Sequence, residues 1–288
     1  MSALVERGVV AQREEIMPGT WLLRLRSPRI AAAAGPGQFA HIQCAPVSDP
    51  LLRRPFSFAG IDRAAGTYDI IFNVVGQGTA ILAAAEAGQA FEALGPLGHA
   101  FTMPAHGTLL MIAGGLGVAP FPLVAREARA AGVRLRWLNG AYTSHQLLPL
   151  SLLPEGVEAH QCTDDGSAGE AGFVTKASER LLDGVTAVHA CGPTPMLVAL
   201  ARQWGRLSEA GRELPRCEVS LEAPMGCALG TCLGCVVPAA GGGYDRVCVE
   251  GAVFDWRTVD WARYASFGEL ITHRSAQTRI AAGAGVAP

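Results

Sequence analysis

The sequence predicts three units in series: an antiparallel β-barrel, an α/β domain with a doubly wound parallel sheet, and a small C-terminal unit built around a metal cluster. Three observations support this prediction. Short β-type runs fill Leu4–Met103, apolar strands alternate with helical stretches from Thr108 to about Leu200, and four of the eight cysteines crowd into residues 227–248. The predicted boundaries are 1–104, 105–213 and 214–263, followed by a C-terminal extension, 264–288, whose last residues we expect to be disordered.

Composition and charge exclude several classes of protein. Half of the 288 residues are hydrophobic and 17% are charged, so the chain has enough apolar surface to fold, unlike a disordered protein. A net charge of −2 gives no electrostatic reason to expect nucleic acid or an anionic membrane as a partner. Charges within residues 1–15 argue against a secretory signal, and glycines and prolines interrupt the uncharged stretch Thr108–Ala125. We therefore expect a cytoplasmic protein without a membrane span.

The N-terminal region is predicted to be a barrel because its β-type runs are short and separated by turn residues. These runs are Thr20–Leu25, Phe39–Gln43, Phe56–Ile61 and Tyr68–Val75. Arg54, Pro55, Phe56 and Ser57 open one of the predicted strands. An arginine can pair with a pyrophosphate there, while the hydroxyl and backbone groups contact a flavin ring. Alone, an Arg-Pro pair before a strand is more often simply a turn.

A second candidate in the barrel is the segment Gly76–Thr79, which follows a strand and precedes a predicted helix, Ala80–Ala87. Backbone amides and a threonine hydroxyl at the start of a helix favour an anion. Gly78 and Thr79 are therefore candidate cofactor-binding residues.

The middle region is predicted to be an α/β domain because strands and helices alternate. The predicted strands are Leu109–Ala113, Arg134–Gly140, Val157–Cys162 and Val185–Cys191, and the predicted helices are Phe121–Ala131 and Thr175–Leu182. Alternation of this kind is typical of a parallel sheet covered by helices.

Two strand ends in this domain are candidates for binding a dinucleotide. The first strand leads into Gly114, Gly115 and Gly117, where the backbone can approach a pyrophosphate, and a helix N-terminus favours its charge by roughly 0.3–1 kcal/mol. The motif is not a strict G-x-G-x-x-G, so an ordinary glycine turn stays possible. The last strand ends at Cys191 and Gly192, on the edge where a doubly wound sheet binds ligands.

Charge in two loops predicts which dinucleotide binds. Recognition of the 2′-phosphate of NADP normally requires an arginine or lysine near the ends of the middle strands. Ala141–Leu147 and Thr163–Gly169 contain neither residue type, and the second loop carries Asp164 and Asp165. We therefore expect NAD.

The cysteine cluster is the most specific motif in the chain. Cys227, Cys232, Cys235 and Cys248 are spaced C-x4-C-x2-C-x12-C, and the first three match the plant-type [2Fe-2S] ferredoxin spacing. Four thiolates suit such a cluster because each iron takes two protein sulfurs. Structural zinc is the alternative, although zinc ribbons usually pair two close-spaced hairpins and this chain has a single C-x2-C. Three other cysteines are interpreted as inert buried residues: Cys44, Cys162 and Cys217.

Taken together, these motifs resemble the ferredoxin-NADP reductase superfamily, and within it the electron-transfer subunits of NAD-dependent, class 1B dihydroorotate dehydrogenases. The similarity runs from about residue 5 to residue 263, and Ser220–Val237 is its most specific part. The other segments that carry it are Gly35–Phe39, Leu51–Phe58, Gly95–Gly98, Ala113–Pro120, Thr163–Ser167 with Gly172 and Phe173, and Cys191–Met196.

The resemblance implies two cofactors, FAD and a [2Fe-2S] cluster, together with NAD as a substrate and a partner subunit. Iron would be held by the four clustered cysteines, and electrons would pass between NAD, FAD, the [2Fe-2S] cluster and the FMN of a catalytic dihydroorotate dehydrogenase subunit, in de novo pyrimidine (UMP) biosynthesis. Dihydroorotate itself would be oxidised in the partner, so this chain needs no catalytic acid or base. The family assembles as two copies of each subunit. FAD would contact Arg54, Pro55, Phe56, Ser57, Ile71, Phe72, Asn73, Gly78 and Thr79.

The sequence departs from the family pattern at three positions. Asn73 stands where a basic residue is common, which puts a phosphate contact from that side chain in doubt. Ala228 replaces a common glycine and Ala252 a common proline, although both are small. All four cluster cysteines are retained.

Flavin is central to this interpretation because a nicotinamide exchanges two electrons as a hydride whereas a [2Fe-2S] cluster accepts one. A flavin does both. Two alternatives stay open at this stage: an NADH-dependent reductase that serves an oxygenase or hydrogenase type of partner, and a non-catalytic redox sensor.

Overall fold

A closed six-stranded antiparallel barrel forms the N-terminal part of the computed structural model, which describes residues 3–45 and 49–266. The strand order around the barrel is β1-β2-β5-β4-β3-β6. The predicted barrel is thus confirmed. Its elements are β1 Leu4–Met17, β2 Thr20–Arg26, α1 Pro28–Ala33, β3 Phe39–Ile42, β4 Arg54–Asp62, β5 Thr67–Asn73, α2 Gln77–Ala83 and β6 Ala90–Leu97.

Alternating apolar side chains fill the barrel. Leu23 and Leu25 of β2 are fully buried, and the ring of Phe58 meets that of Tyr68 edge to face with centroids 5.1 Å apart. Burying each such side chain stabilises the fold by about 1.5–3 kcal/mol. The helix predicted at Ala80–Ala87 begins earlier, at Gln77, because the Thr79 hydroxyl accepts hydrogen bonds from backbone N–H groups that precede it.

The second part of the chain is a parallel sheet covered by helices, as predicted. Its strands are β7 Thr108–Gly114, β8 Arg134–Ala141, β9 Glu158–Thr163, β10 Glu170–Ala171, β11 Ala187–Cys191 and β12 Arg216–Ser220. Its helices are α3 Phe121–Ala130, α4 Val174–Ser178 and α5 Thr194–Glu209. The helix predicted at Thr175–Leu182 is therefore divided, since a 3₁₀ turn, Glu179–Leu182, follows α4.

The C-terminal part adds β13 Val236–Pro238, β14 Tyr244–Arg246 and β15 Val253–Asp255. β13 and β14 form a separate hairpin, whereas β15 pairs antiparallel with β12. The large sheet therefore has seven strands in the order β10-β9-β8-β7-β11-β12-β15. The segment that carries the cysteines is built directly onto this sheet.

The barrel and the sheet share one apolar contact surface. Ala59 and Ile71 of the barrel belong to the same buried cluster as Val118 and Phe121 of the second part. Phe101, in the connection between the two parts, stacks on Phe121 with ring centroids 6.2 Å apart. This packing holds the flavin candidates and the dinucleotide candidates in a fixed relation.

A buried polar contact anchors the same connection. The backbone N–H of Thr102 donates to Glu218 Oε2 (2.7 Å), and Thr102 O accepts from His189 Nε2 (3.1 Å). The His189 ring also stacks on Phe101, with centroids 4.3 Å apart. Burial lowers the pKa of His189 to about 3, so the imidazole is neutral.

Within the described ranges, no helix has both the length and the apolar character needed to cross a membrane. Residues 261–266 are helical. Beyond Ser266, the predicted C-terminal extension and its expected disorder lie outside the described residues.

Candidate cofactor-binding site

The four clustered cysteines lie on two neighbouring segments. Cys227, Cys232 and Cys235 lie on the loop between β12 and β13, and Cys248 lies on the turn between β14 and β15. Cys232 is exposed, Cys227 is half-buried, and Cys235 and Cys248 are buried. A backbone hydrogen bond from Val247 N to Cys235 O (2.8 Å) ties the two segments together.

The thiols are arranged as two pairs. Cys227 contacts Cys232, and Cys235 contacts Cys248. In the part of the chain that the structure describes, no three His, Cys, Asp or Glu side chains gather tightly enough for a single metal ion. A [2Fe-2S] cluster takes four protein thiolates, two to each of its irons. The donor set and its pairing fit that cluster.

Backbone groups of the loop already point at one sulfur. Cys227 Sγ accepts hydrogen bonds from the N–H groups of Leu229 (3.3 Å) and Cys232 (3.4 Å). The Thr231 hydroxyl and these N–H groups lower the pKa of Cys227 to about 6, which favours the thiolate that iron binds. Ala228 and Leu233 have positive φ angles of 56°, a conformation that costs of order 1–3 kcal/mol outside glycine. Strain of this kind is common where a loop wraps around a ligand.

On the barrel side, the structure brings two of the flavin candidates together. A Cβ added to Gly78 would lie 3.3 Å from Arg54 Cγ and 3.2 Å from Cys44 Sγ. The glycine therefore lets the start of α2 approach the arginine. Gly78 and Arg54 therefore lie side by side, which brings two separately predicted flavin candidates together.

Five of the other flavin candidates have side chains that already make contacts within the protein. The rings of Phe56 and Phe72 face each other in the barrel core with centroids 5.6 Å apart, and Ile71 is buried in the contact with the sheet. Asn73 Oδ1 accepts a hydrogen bond from the Thr20 hydroxyl (2.7 Å). The Thr79 hydroxyl donates to Gly76 O (2.9 Å), so it serves the turn before α2.

A cavity of about 510 Å³ joins the barrel to the cysteine segment. Its walls include Arg54, Pro55 and Gln77 on one side and Ala223, Pro224 and Met225 on the other. Ligand sites in proteins typically have volumes of about 300–1,000 Å³. A planar ring system in this cavity would lie between the start of β4 and the loop that leads into Cys227.

The glycines of the dinucleotide candidate have two different environments. A Cβ on Gly114 would lie 2.5 Å from Met196 Sδ, and a Cβ on Gly117 would lie 2.2 Å from Cys191 O. Backbone at the end of β11 therefore leaves no room for a side chain at Gly117, whereas Gly114 faces the flexible side chain of Met196 in α5. Gly115 has a φ of +52° and no atom within 4 Å of an added Cβ, so its backbone faces open space.

Cys191 and Gly192 lie beside this turn because β11 and β7 are neighbouring parallel strands, with Cys191 paired to Ala113. A Cβ on Gly192 would lie 2.4 Å from Met196 Cε. Burial raises the pKa of Cys191 to about 12, so its thiol is neutral. The two strand ends that the sequence singled out therefore form one continuous surface.

Two serines that were not predicted as site residues, Ser144 and Ser167, hold the loop with Asp164 and Asp165 in place. Asp165 Oδ1 accepts hydrogen bonds from the N–H (2.9 Å) and hydroxyl (2.6 Å) of Ser167, whose hydroxyl accepts from Ser144 N (2.8 Å). These hydrogen bonds lower the pKa of Asp165, and Asp164 is exposed. The loop after β9 thus presents negative charge, and a hydrogen bond from Ser144 N to Ser167 Oγ ties the loop after β8 to it.

A family model and similar full-length proteins both relate this chain to dihydroorotate dehydrogenase B. A family model described as the iron-sulfur cluster binding domain of dihydroorotate dehydrogenase B matches residues 222–260. The electron transfer subunit of dihydroorotate dehydrogenase B (NAD(+)) from Geobacillus thermodenitrificans is 38% identical over 254 residues, covering 86% of this chain and 96% of that protein. The corresponding subunit from Desulforamulus reducens is 36% identical over 252 residues, covering 85% and 94%.

Solved structures show the same architecture. NADH-dependent reduced ferredoxin-NADP oxidoreductase superposes with a TM-score of 0.78 at 26% identity, covering 93% of this chain and 96% of that one. The ferredoxin reductase of carbazole 1,9a-dioxygenase superposes with a TM-score of 0.63 at 21% identity, covering 75% and 68%. The second likeness concerns the fold alone.

Proposed function

Because the chain belongs to the family of dihydroorotate dehydrogenase B electron-transfer subunits, we propose that it carries electrons between NAD and a dihydroorotate-oxidising catalytic subunit through FAD and a [2Fe-2S] cluster. This places the protein in de novo pyrimidine (UMP) biosynthesis, in the cytoplasm. The partner is an FMN-containing subunit, and the assembly contains two copies of each chain. Identity of 38% over nearly the full length of a named subunit supports the proposal.

Each part of the chain has one ligand in this proposal. The barrel, 1–104, binds FAD through the start of β4, the end of β5 and the start of α2. The α/β region, 105–213, binds NAD through Gly114, Gly115, Gly117, Cys191 and Gly192. Residues 214–263 bind the cluster through the four cysteines. When bound, FAD exchanges a pair of electrons with nicotinamide and single electrons with the cluster.

The protein's own residues contribute placement and insulation. Arg54 supplies a cation beside the start of α2, and the carboxylates of Asp164 and Asp165 disfavour a 2′-phosphate. Burial of Cys235 and Cys248 shields half of the ligand set from water. The proposal assigns no general acid or base to this chain.

The cavity between Arg54 and Met225 is the observation that carries the proposal, because it puts a flavin-sized space directly between the barrel and the cysteine loop. The test is anaerobic purification, with iron, sulfide, zinc and flavin assayed on one sample together with visible and EPR spectra. We expect two irons, two sulfides and one FAD per chain. A sample that contains zinc instead of iron would refute the proposal.

Co-expression with the catalytic subunit tests the assignment of the partner. We expect dihydroorotate-dependent reduction of NAD by the purified complex and a mass for two copies of each chain. A chain that reduces artificial acceptors with NADH but neither binds that subunit nor couples to dihydroorotate would point to a reductase with another partner.

A further inference from the structure

Arg246 connects the two segments that carry the cysteines. It ends β14, two positions before Cys248, and its Nη1 donates to the carbonyl of Gly230 (3.0 Å) in the cysteine loop. Its Nε donates to Glu250 Oε2 (2.9 Å), and its Nη2 donates to Glu250 Oε1. One guanidinium thus bonds to the loop and to the turn at the same time.

Glu250 completes the contact on the side of the turn. Its Oε2 also accepts the backbone N–H of Arg246 (2.7 Å), and Arg246 O accepts from the N–H groups of Val249 (3.0 Å) and Glu250 (2.9 Å). Arg246 and Glu250 thus stand at the two ends of the turn that contains Cys248, and the hydrogen bonds between them hold these ends together. Arginine is suited to this role because its planar fork binds a carboxylate with two parallel hydrogen bonds.

Gly230 is shaped to receive the guanidinium. Its φ is +81°, and an added Cβ would lie 2.8 Å from Arg246 Nη1 and 2.7 Å from Val249 Cγ2. A side chain at this position would push the arginine away. The glycine of the loop and the arginine of the turn fit each other.

We propose that Arg246 and Glu250 are positioning residues that fix the fourth cluster ligand, Cys248, against the loop that supplies the other three. This inference rests on the proposed [2Fe-2S] site. It concerns residues that do not touch iron, and the cysteine spacing alone gives no indication of them. Groups that orient metal ligands in this way commonly change metal affinity by about 10–100-fold when they are replaced.

The first test compares R246Q and E250Q with the unaltered holoprotein. We expect both variants to lose iron to a chelator about tenfold faster, because the turn with Cys248 is then free to move away from the loop. The matched control is R63Q, since Arg63 also pairs with a glutamate, Glu127, and donates to a backbone carbonyl, that of Ala34, but where the barrel meets α3. We expect the control to release iron at the rate of the unaltered protein.

The midpoint potential of the cluster is the second measurement, and it distinguishes a local role at the cluster from a general effect on stability. Removing the cation in R246Q should lower the midpoint potential of the cluster, and removing the anion in E250Q should raise it, because the two charges act on the added electron with opposite sign. R246K keeps the charge but not the fork, so we expect its potential to stay close to that of the unaltered protein while iron is still released faster.

Unchanged iron release and unchanged EPR spectra in R246Q and E250Q would overturn the inference. Potentials that move in the same direction in both variants would overturn it too, because they would indicate a general disturbance. If R246Q fails to fold, R246K and E250Q decide by the same two measurements. An unaltered protein without a cluster would instead refute the proposed function.

Discussion

Two glycine-rich segments of this chain look alike in sequence and differ in what their glycines do. In the turn after β7, the space that a side chain at Gly114 would need is occupied by Met196, and the space at Gly117 is occupied by the carbonyl of Cys191. In the cysteine loop, Gly230 instead receives the guanidinium of Arg246, and the loop N–H groups point at a cysteine sulfur. Packing explains why Gly114 and Gly117 carry no side chain, and their backbone stays part of the proposed dinucleotide site, whereas Gly230 makes room for a residue that bridges the two cysteine segments. Glycine content alone therefore does not identify a binding site.

The largest expected effect is on the cysteine loop. C248S removes a proposed cluster ligand, so we expect loss of the [2Fe-2S] visible and EPR signals, because oxygen is a poor substitute for a soft thiolate. The control is C217S, whose side chain donates to Pro215 O (3.3 Å) in the sheet and keeps that donor as serine. A normal spectrum in C248S, or loss of the signals in C217S, would contradict the assignment of ligands.

The turn after β7 should respond to volume instead. G117A places a Cβ 2.2 Å from Cys191 O, and such overpacking against backbone costs about 3 kcal/mol of unfolding free energy. G115A meets open space, so it costs only the positive φ, about 1 kcal/mol. Denaturant unfolding measures both changes, and NADH titration should show weaker binding in G115A. Equal losses of stability in the two variants would show that the structural contrast between these glycines is wrong.

Acid should affect the sheet through His189, which is buried in β11. The unfolded chain binds a proton at His189 below about pH 6.5, whereas the folded chain does so only near pH 3. The free energy of unfolding therefore falls as the pH drops from 6.5 toward 3, by up to about 1.4 kcal/mol per pH unit. We expect H189Q to lose about 2 kcal/mol less than the unaltered protein between pH 7 and pH 5. Replacement of the half-buried His160 is the control, and an H189Q variant with the original pH dependence would refute the assignment.

The smallest expected effect concerns the choice of dinucleotide. D164N removes one negative charge from the loop after β9, and two charges about 4 Å apart in water interact by about 1 kcal/mol. We expect the ratio of kcat/KM for NADPH to that for NADH to rise about fivefold. E170Q, in which the replaced carboxylate pairs with Arg180 (2.6 Å), should leave the ratio unchanged. An unchanged ratio in D164N would indicate that the 2′-hydroxyl of the bound dinucleotide does not lie beside Asp164.

The sequence predicted the architecture because the underlying patterns are local. Four barrel strands, β2 to β5, and four sheet strands, β7, β8, β9 and β11, lie within about two residues of their predicted bounds. Turn residues and apolar runs mark these bounds in the sequence. β1 is harder to recognise because most of its side chains are exposed. β12 was assigned to the C-terminal unit, yet it pairs with β11 in the large sheet. A partner that is distant in sequence leaves no local signal.

The candidate cluster ligands could be predicted because ligand chemistry fixes the spacing of their cysteines. Residues that act through three-dimensional contacts could not be predicted in this way. Cysteine spacing predicts a ligand set, and the structure brings two of its members, Cys227 and Cys232, into contact. Arg246 and Glu250 could be noticed only as a pair four residues apart, a spacing that is common on any surface. Ser167 and Thr231 act through hydrogen bonds to neighbouring loops, which depend on the three-dimensional path of the chain.

The pairing of β15 with β12 has a consequence for anyone who wishes to shorten or recombine this protein. A truncated chain that stops before Arg216 would leave β11 as an open border of the sheet, with unpaired N–H and C=O groups available to a second molecule. We expect such a fragment to self-associate rather than behave as a simple two-domain flavoprotein. The iron-binding segment therefore cannot be exchanged as an independent module, since it also completes the fold beneath it.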